Sequence, residues 1–139
     1  MSKYSFGKYA IVSGVTFTFE KEPEWEWTVL PVTSGQELEM SRFNMPKVSV
    51  DPDGTRRQIP PTWMELCYRE ISMTFGGTTI PKDPEKPVKD GREPVLKLGA
   101  SLEQIEAVLA EMPQEMVMEI WRKVGEAYPK WGPADPNLI

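Results

Sequence analysis

Residues 101–133 read SLEQIEAVLAEMPQEMVMEIWRKVGEAYPKWGP and contain two successive helical patterns. In each pattern apolar residues recur every three or four positions, as on one face of an amphipathic helix. The first set is Leu102, Ile105, Leu109 and Met112, and the second is Val117, Ile120, Trp121, Val124 and Tyr128. Pro113 separates them, because proline interrupts a helix. Ser101 and Gln104 have the spacing of a capping box. We predict two short helices that pack as an antiparallel pair.

The N-terminal part contains a β pattern. Residues 9–19 alternate between polar and apolar side chains, with Val15, Phe17 and Phe19 on one face. The alternation resumes at Trp25 and Trp27, after a break at 21–24. This predicts a hairpin with an aromatic face. Since a lone hairpin is marginal in water, we expect that face to pack on a helix or a partner.

Two more helices are expected between the hairpin and residue 80. The first covers about 35–43, with a capping box at Ser34 and Glu37 and with Leu38 directed inward. The second starts at Pro61-Thr62 and is apolar around much of its circumference. Gly76-Gly77 is expected to end this helix, because glycine allows a positive φ after the last turn.

Residues 81–94 hold four prolines among alternating charges and little that could be buried. Such composition is typical of an extended linker. We therefore predict an N-terminal α+β domain over 1–80, a linker over 81–98 and a helical hairpin with a tail over 99–139. The predicted fold class is α+β, mainly α.

The charged and nucleophilic residues do not form a recognisable catalytic or metal site. The sequence contains no histidine, which removes the commonest general base and metal ligand. Cys67 lies among apolar helix positions, where a thiol is inert. Glu65 with Glu70, and Glu103 with Glu106, are expected on solvated helix faces. We predict no enzyme activity, no metal and no cofactor.

Overall charge and hydropathy limit the classes of partner that the protein is expected to bind. The net charge of −5 argues against nucleic acid, which requires a basic face. No apolar run approaches the roughly 18 residues of a membrane span. The first seven residues, MSKYSFG, lack the apolar core of a signal peptide. We expect a soluble, cytoplasmic protein without a membrane partner.

The C-terminal helices supply the candidate protein-binding residues. Methionine is flexible and polarisable, and large aromatic side chains dominate many interface energies. Met118 falls outside the second apolar set and is expected to be exposed, and Trp131 has little of its own fold around it. The candidate residues are Met112, Met116, Met118, Trp121, Val124, Tyr128 and Trp131.

Several motifs resemble those of tail assembly chaperones from long-tailed, siphovirus-type bacteriophages. Residues 27–37, WTVLPVTSGQE, are similar to the family's "Trp-x-Val-x-Pro-Leu-Thr-x-Gly-Glu" segment. Residues 69–81 resemble its central helix and the turn that follows. The Leu109–Pro113 hinge and the ending from Ile120 to Trp131 are similar to its C-terminal helix pair. The resemblance covers about residues 25–133.

This resemblance implies an acidic assembly factor. Such a factor coats the tape measure protein, recruits subunits of the major tail tube protein and self-associates into a homo-oligomer. It acts in the host cytoplasm and is absent from the mature virion. Many members are also made in a longer, frameshifted form. The β segment of this chain departs from the more wholly helical members.

Two other classes of function remain open at this point. The chain could be a structural tail or head–tail connector subunit, whose N-terminal hairpin joins the sheet of a neighbour. It could also be a small enzyme or ligand-binding domain, although the sequence offers no site for one.

Overall fold

The computed structural model describes residues 14–83, 85 and 93–133. These residues contain four helices and five strands, which gives a mixed α/β fold. The strands are β1 (Val15–Thr18), β2 (Glu26–Val29), β3 (Lys47–Val50), β4 (Arg56–Ile59) and β5 (Phe75–Thr78). The helices are α1 (Ser34–Phe43), α2 (Trp63–Met73), α3 (Leu102–Glu111) and α4 (Gln114–Ala127). In this part of the chain, no helix has both the length and the apolar character needed to cross a membrane.

Three strands form an antiparallel sheet in the order β1-β2-β5. Phe17 of β1 lies opposite Trp27 of β2, and the Trp27 ring packs edge-on against Phe75 of β5, with centroids 5.0 Å apart. Side chains alternate between the faces of a strand, so Thr16 and Thr28 lie on the other face, where their hydroxyl oxygens are 2.8 Å apart. One face of the sheet therefore packs on the core and the other faces outward. Residues 9–13 of the predicted first strand lie outside the described residues.

Helix α2 lies at the centre of the fold, and both C-terminal helices pack on it. An ion pair between Arg69 and Glu106, with the Nε and Oε1 atoms 3.2 Å apart, also joins α2 to α3. Helix α4 additionally packs on β2. Both α3 and α4 thus pack on α2, and their arrangement as an antiparallel pair stays a prediction.

One hydrophobic core includes residues from both halves of the chain. Trp27, Ile71 and Leu109 are all fully buried in it. Leu96, which falls in the predicted linker, is buried in the same core. The predicted domain boundaries stay a prediction, because residues 84 and 86–92 lie outside the described residues. The predicted N-terminal domain and the C-terminal helices nevertheless share one core.

Capping boxes begin three of the four helices in the described residues. The predicted box of Ser101 and Gln104 at the start of α3 is confirmed. In α1 the box is formed by Thr33 and Gln36, one residue before the predicted pair.

Two predictions about helix faces and ends are wrong. Leu38 of α1 is exposed, because the buried residue of that helix is Met40, and positions two apart do not share a helix face. Helix α2 ends at Met73, and Gly76 and Gly77 lie in β5, next to β2. The glycine pair therefore belongs to a strand and does not terminate the helix.

A second hairpin lies between α1 and α2. Strands β3 and β4 pair antiparallel in a sheet of their own. The segment Asp51-Pro52-Asp53-Gly54 between them has the composition of a turn, and the Gly54 N–H donates to the Asp51 carbonyl at 2.9 Å. The strands on either side of it were not predicted. All four side chains of β4 are exposed.

The C-terminal segment turns back on α4 through a close contact between two glycines. Gly132 has a φ of +89°. A Cβ atom placed on Gly132 would lie 2.5 Å from the Cα atom of Gly125 and 2.8 Å from its nitrogen. Glycine at 132 is therefore required both by the backbone conformation and by the space available.

We expect Gly132→Ala to destabilise the fold more than Gly54→Ala. Each substitution costs about 1–2 kcal/mol for the left-handed backbone. The first adds roughly 1–3 kcal/mol of overpacking against Gly125. Gly54 is the matched control, since its φ is +87° and nothing lies within 4 Å of an added Cβ. Urea unfolding of both variants measures the difference, and equal losses would contradict the close contact.

Candidate protein-binding site

The candidate binding residues lie mostly inside the protein. Of the seven, Met118, Trp121, Val124 and Trp131 are buried, and Met112, Met116 and Tyr128 are half-buried. The expectation that Met118 is exposed is wrong, as is the one for Trp131. Helix α4 is covered by α2 and also by β2, so its buried face is wider than the apolar set read from the sequence. The role of the seven candidate residues in binding a partner stays a prediction, but most of the surface that they form is inaccessible in the described fold.

The carboxylate of Glu70 joins α2 to α4 and to the C-terminal turn. Its Oε1 atom accepts hydrogen bonds from the indole N–H of Trp121 at 2.7 Å and from the backbone N–H of Gly132 at 2.8 Å. Glu70 is buried, so its predicted position on a solvated helix face is wrong. Burial raises the pKa of Glu70, the two hydrogen bonds partly oppose this, and the charge of nearby Glu37 adds to it.

Trp131 is held by a second carboxylate. Its indole N–H donates to Oε1 of Glu37 on α1 at 2.6 Å, and its ring meets Tyr128 edge-on with centroids 5.9 Å apart. The C-terminal turn is thus attached to α1 as well as to α2. Only the tertiary arrangement brings these groups together, since Glu37 and Trp131 are far apart in sequence.

Trp63 is the exposed tryptophan of the fold. It stacks on Trp121 with centroids 6.0 Å apart and an interplanar angle of 20°. Half of its surface is nevertheless accessible, whereas the sequence pattern indicated a helix covered on several sides. It lies in the first turn of α2, where Trp121 of α4 covers one face of its ring.

A shallow groove of about 390 Å³ crosses the outer face of the three-stranded sheet. Strands β2 and β5 and residues 94–98 line it, and Gly76 and Gly77 contribute a surface without side chains. A Cβ atom on Gly77 would lie 3.3 Å from the Leu98 side chain. Leu98 is 77% exposed at the edge of the groove. Glu26 and Lys97 add one charge of each sign.

The described residues show a buried thiol and no metal-binding cluster. Cys67 is fully buried, and burial raises the pKa of its thiol to about 12, so it carries no thiolate at neutral pH. Residues 14–83, 85 and 93–133 contain no group of three or more side chains arranged to hold a metal ion. The groove exposes apolar atoms together with one charge of each sign, so its surface suits contact with side chains of a partner.

We expect Glu70→Gln to preserve the fold and Glu70→Leu to weaken it. Glutamine retains an acceptor for both donors, whereas leucine leaves the buried indole N–H of Trp121 unpaired, at about 1–3 kcal/mol, and removes the acceptor of the half-buried Gly132 N–H. The folded-state pKa of Glu70 lies above its unfolded value, so the native protein keeps this proton to higher pH. Its contribution to stability therefore falls as the pH rises from the unfolded pKa through the folded one.

Urea unfolding between pH 4 and pH 8 tests both points. The decrease in the free energy of unfolding with rising pH that is assigned to Glu70 should be absent from the Glu70→Gln variant. Equal stability of Glu70→Leu and Glu70→Gln at pH 7 would show that the two hydrogen bonds do not hold the turn.

Comparison with known proteins does not identify this arrangement. No family model matches the chain, and no curated protein and no solved structure is significantly similar to it.

Proposed function

We propose that this protein is a tail assembly chaperone of a long-tailed bacteriophage. It binds the tape measure protein, keeps it in solution and recruits subunits of the major tail tube protein while the tail forms. It acts in the host cytoplasm and leaves before the virion is complete. The resemblance over residues 25–133 suggests this role, and the open groove with exposed Leu98 at its edge is the observation that supports it.

The groove suits one face of an amphipathic helix. Leu98 offers an exposed aliphatic side chain at its edge, beside Thr28 of β2 and Thr78 of β5. Apolar helix faces bind in such grooves through a few anchoring side chains. A tape measure protein is long and largely helical, and its apolar faces need cover until the tube encloses them. The groove replaces α4 as the client-binding surface, since α4 is used internally.

The groove is small, so each contact is weak, and many copies must act along one client. A pocket of a few hundred Å³ accommodates only a few side chains. Weak individual contacts permit release, and multivalency supplies the overall affinity. The net charge of −5 favours solubility of the coated complex.

We expect Leu98→Asp to reduce binding of the tape measure protein while the fold is retained. A carboxylate at this position places an unpaired charge against the client's apolar face. Leu38→Asp is the matched control, because Leu38 is also an exposed leucine, at 52%, but lies on α1 outside the groove. Co-expression with the tape measure protein, followed by co-purification and measurement of its soluble fraction, compares the two. Equal binding by both variants would exclude the groove.

Mass spectrometry of purified phage particles tests the proposed role against a structural one. A chaperone is expected at trace levels relative to the tail tube protein. Abundant copies in the particle would contradict the chaperone and favour the structural tail or connector subunit.

A further inference from the structure

Strand β3 has an unpaired edge and exposed valines. It pairs with β4 alone, in a two-stranded sheet, within the residues that the structure describes. Val48 and Val50 are 61% and 63% exposed. An isolated two-stranded hairpin is marginal in water, and an open edge is a template for another strand. We propose that β3 pairs antiparallel with β3 of a second copy, giving a four-stranded sheet across a two-fold axis.

The hydrogen bonds of the turn show which backbone groups this edge offers. The N–H of Asp51 donates to the Thr55 carbonyl at 2.9 Å, so Asp51 faces β4. In an antiparallel pair, successive residues direct their backbone groups alternately toward and away from the partner strand. Ser49 therefore also faces β4, and Val48 and Val50 direct their N–H and C=O groups outward. The free edge presents two donors and two acceptors.

The flanking prolines select one register. With Ser49 opposite Ser49 of the second copy, Val48 lies opposite Val50 of that copy, and every outward donor meets an acceptor. Centring the pair on Val48 would place Val50 opposite Pro46, and centring it on Val50 would place Val48 opposite Pro52. Proline has no N–H to donate, so both alternatives lose hydrogen bonds.

Charge is complementary in the same register. Lys47 comes to lie opposite Asp51 of the second copy, on the face that also carries Ser49. Opposite charges on facing strands stabilise a sheet. The valines of both copies then form one apolar patch on the other face.

The edge of β4 is not self-complementary in this way. The equivalent register on that edge centres on Arg57 and would place Arg57 of the two copies directly opposite each other. Like charges in that position are destabilising. Centring on Gln58 would place Arg56 opposite Pro60. The two edges of one hairpin thus differ, and only β3 suits a second copy.

This interface uses residues other than those of the client-binding groove. It shares no residue with the groove, so loss of self-association and loss of client binding are measured separately.

Val48→Pro and Gln58→Pro form a matched pair for the test. Each replaces a residue whose N–H points away from the hairpin, one on the β3 edge and the other on the β4 edge. Analytical ultracentrifugation of the full chain should show a concentration-dependent dimer. Val48→Pro should raise its dissociation constant at least about tenfold, because two of the four interface hydrogen bonds are lost. Gln58→Pro should leave it unchanged. A wild-type protein that stays monomeric, or equal weakening by both variants, would overturn the interface.

Disulfide cross-linking tests the register. Ser49→Cys places two thiols at the centre of the pair, where Cα atoms are about 4.5 Å apart, within the range of a disulfide. Cys67 is buried and should not react. Mild oxidation should cross-link Ser49→Cys but not Val48→Cys, whose thiols lie two positions out of register. Cross-linking of Val48→Cys alone, or of neither, would rule out the register centred on Ser49.

Discussion

Two hydrogen bonds to one carboxylate oxygen connect α2, α4 and the C-terminal turn. Glu70 is buried, and a buried carboxylate is costly unless donors surround it. Trp121 and Gly132 supply those donors, and without Glu70 the buried indole N–H of Trp121 would be left unpaired. The close contact of Gly132 with Gly125 is what brings the backbone N–H within reach. Burial of Trp131, and its bond to Glu37 on α1, follow from the same turn.

Signals that act over a few residues could be read from the sequence. The capping box at Ser101 and the turn at Asp51-Pro52-Asp53-Gly54 depend on side chains next to the backbone groups they satisfy, and both are present. The apolar set of α4 is also correct as far as it goes. The set left out Met118, which is buried because two elements, α2 and β2, cover the helix from different sides. The width of the buried face of a helix depends on the elements that pack against it. The sequence of that helix alone does not show which elements these are.

The elements that were missed depend on long-range pairing. Gly76 and Gly77 have the composition of a helix terminator, yet they extend into β5 because β2 offers an edge there. Strands β3 and β4 have almost entirely exposed side chains, so no buried face marks them in the sequence. For the candidate site, the sequence indicated which residues are apolar but not which of them are exposed. Leu98 and Trp63 could be recognised as surface residues only from the fold.

The use of α4 inside the fold affects how a chaperone of this kind could hold a client. The groove offers one anchoring region per chain. A dimer formed through β3 carries two such grooves on one rigid sheet-linked body. Binding at the second groove then becomes intramolecular, which raises overall affinity by roughly 10²–10⁴ where the client spans both sites. Because the gain depends on the dimer, dilution or loss of the β3 edge would release the client without any change in the groove itself.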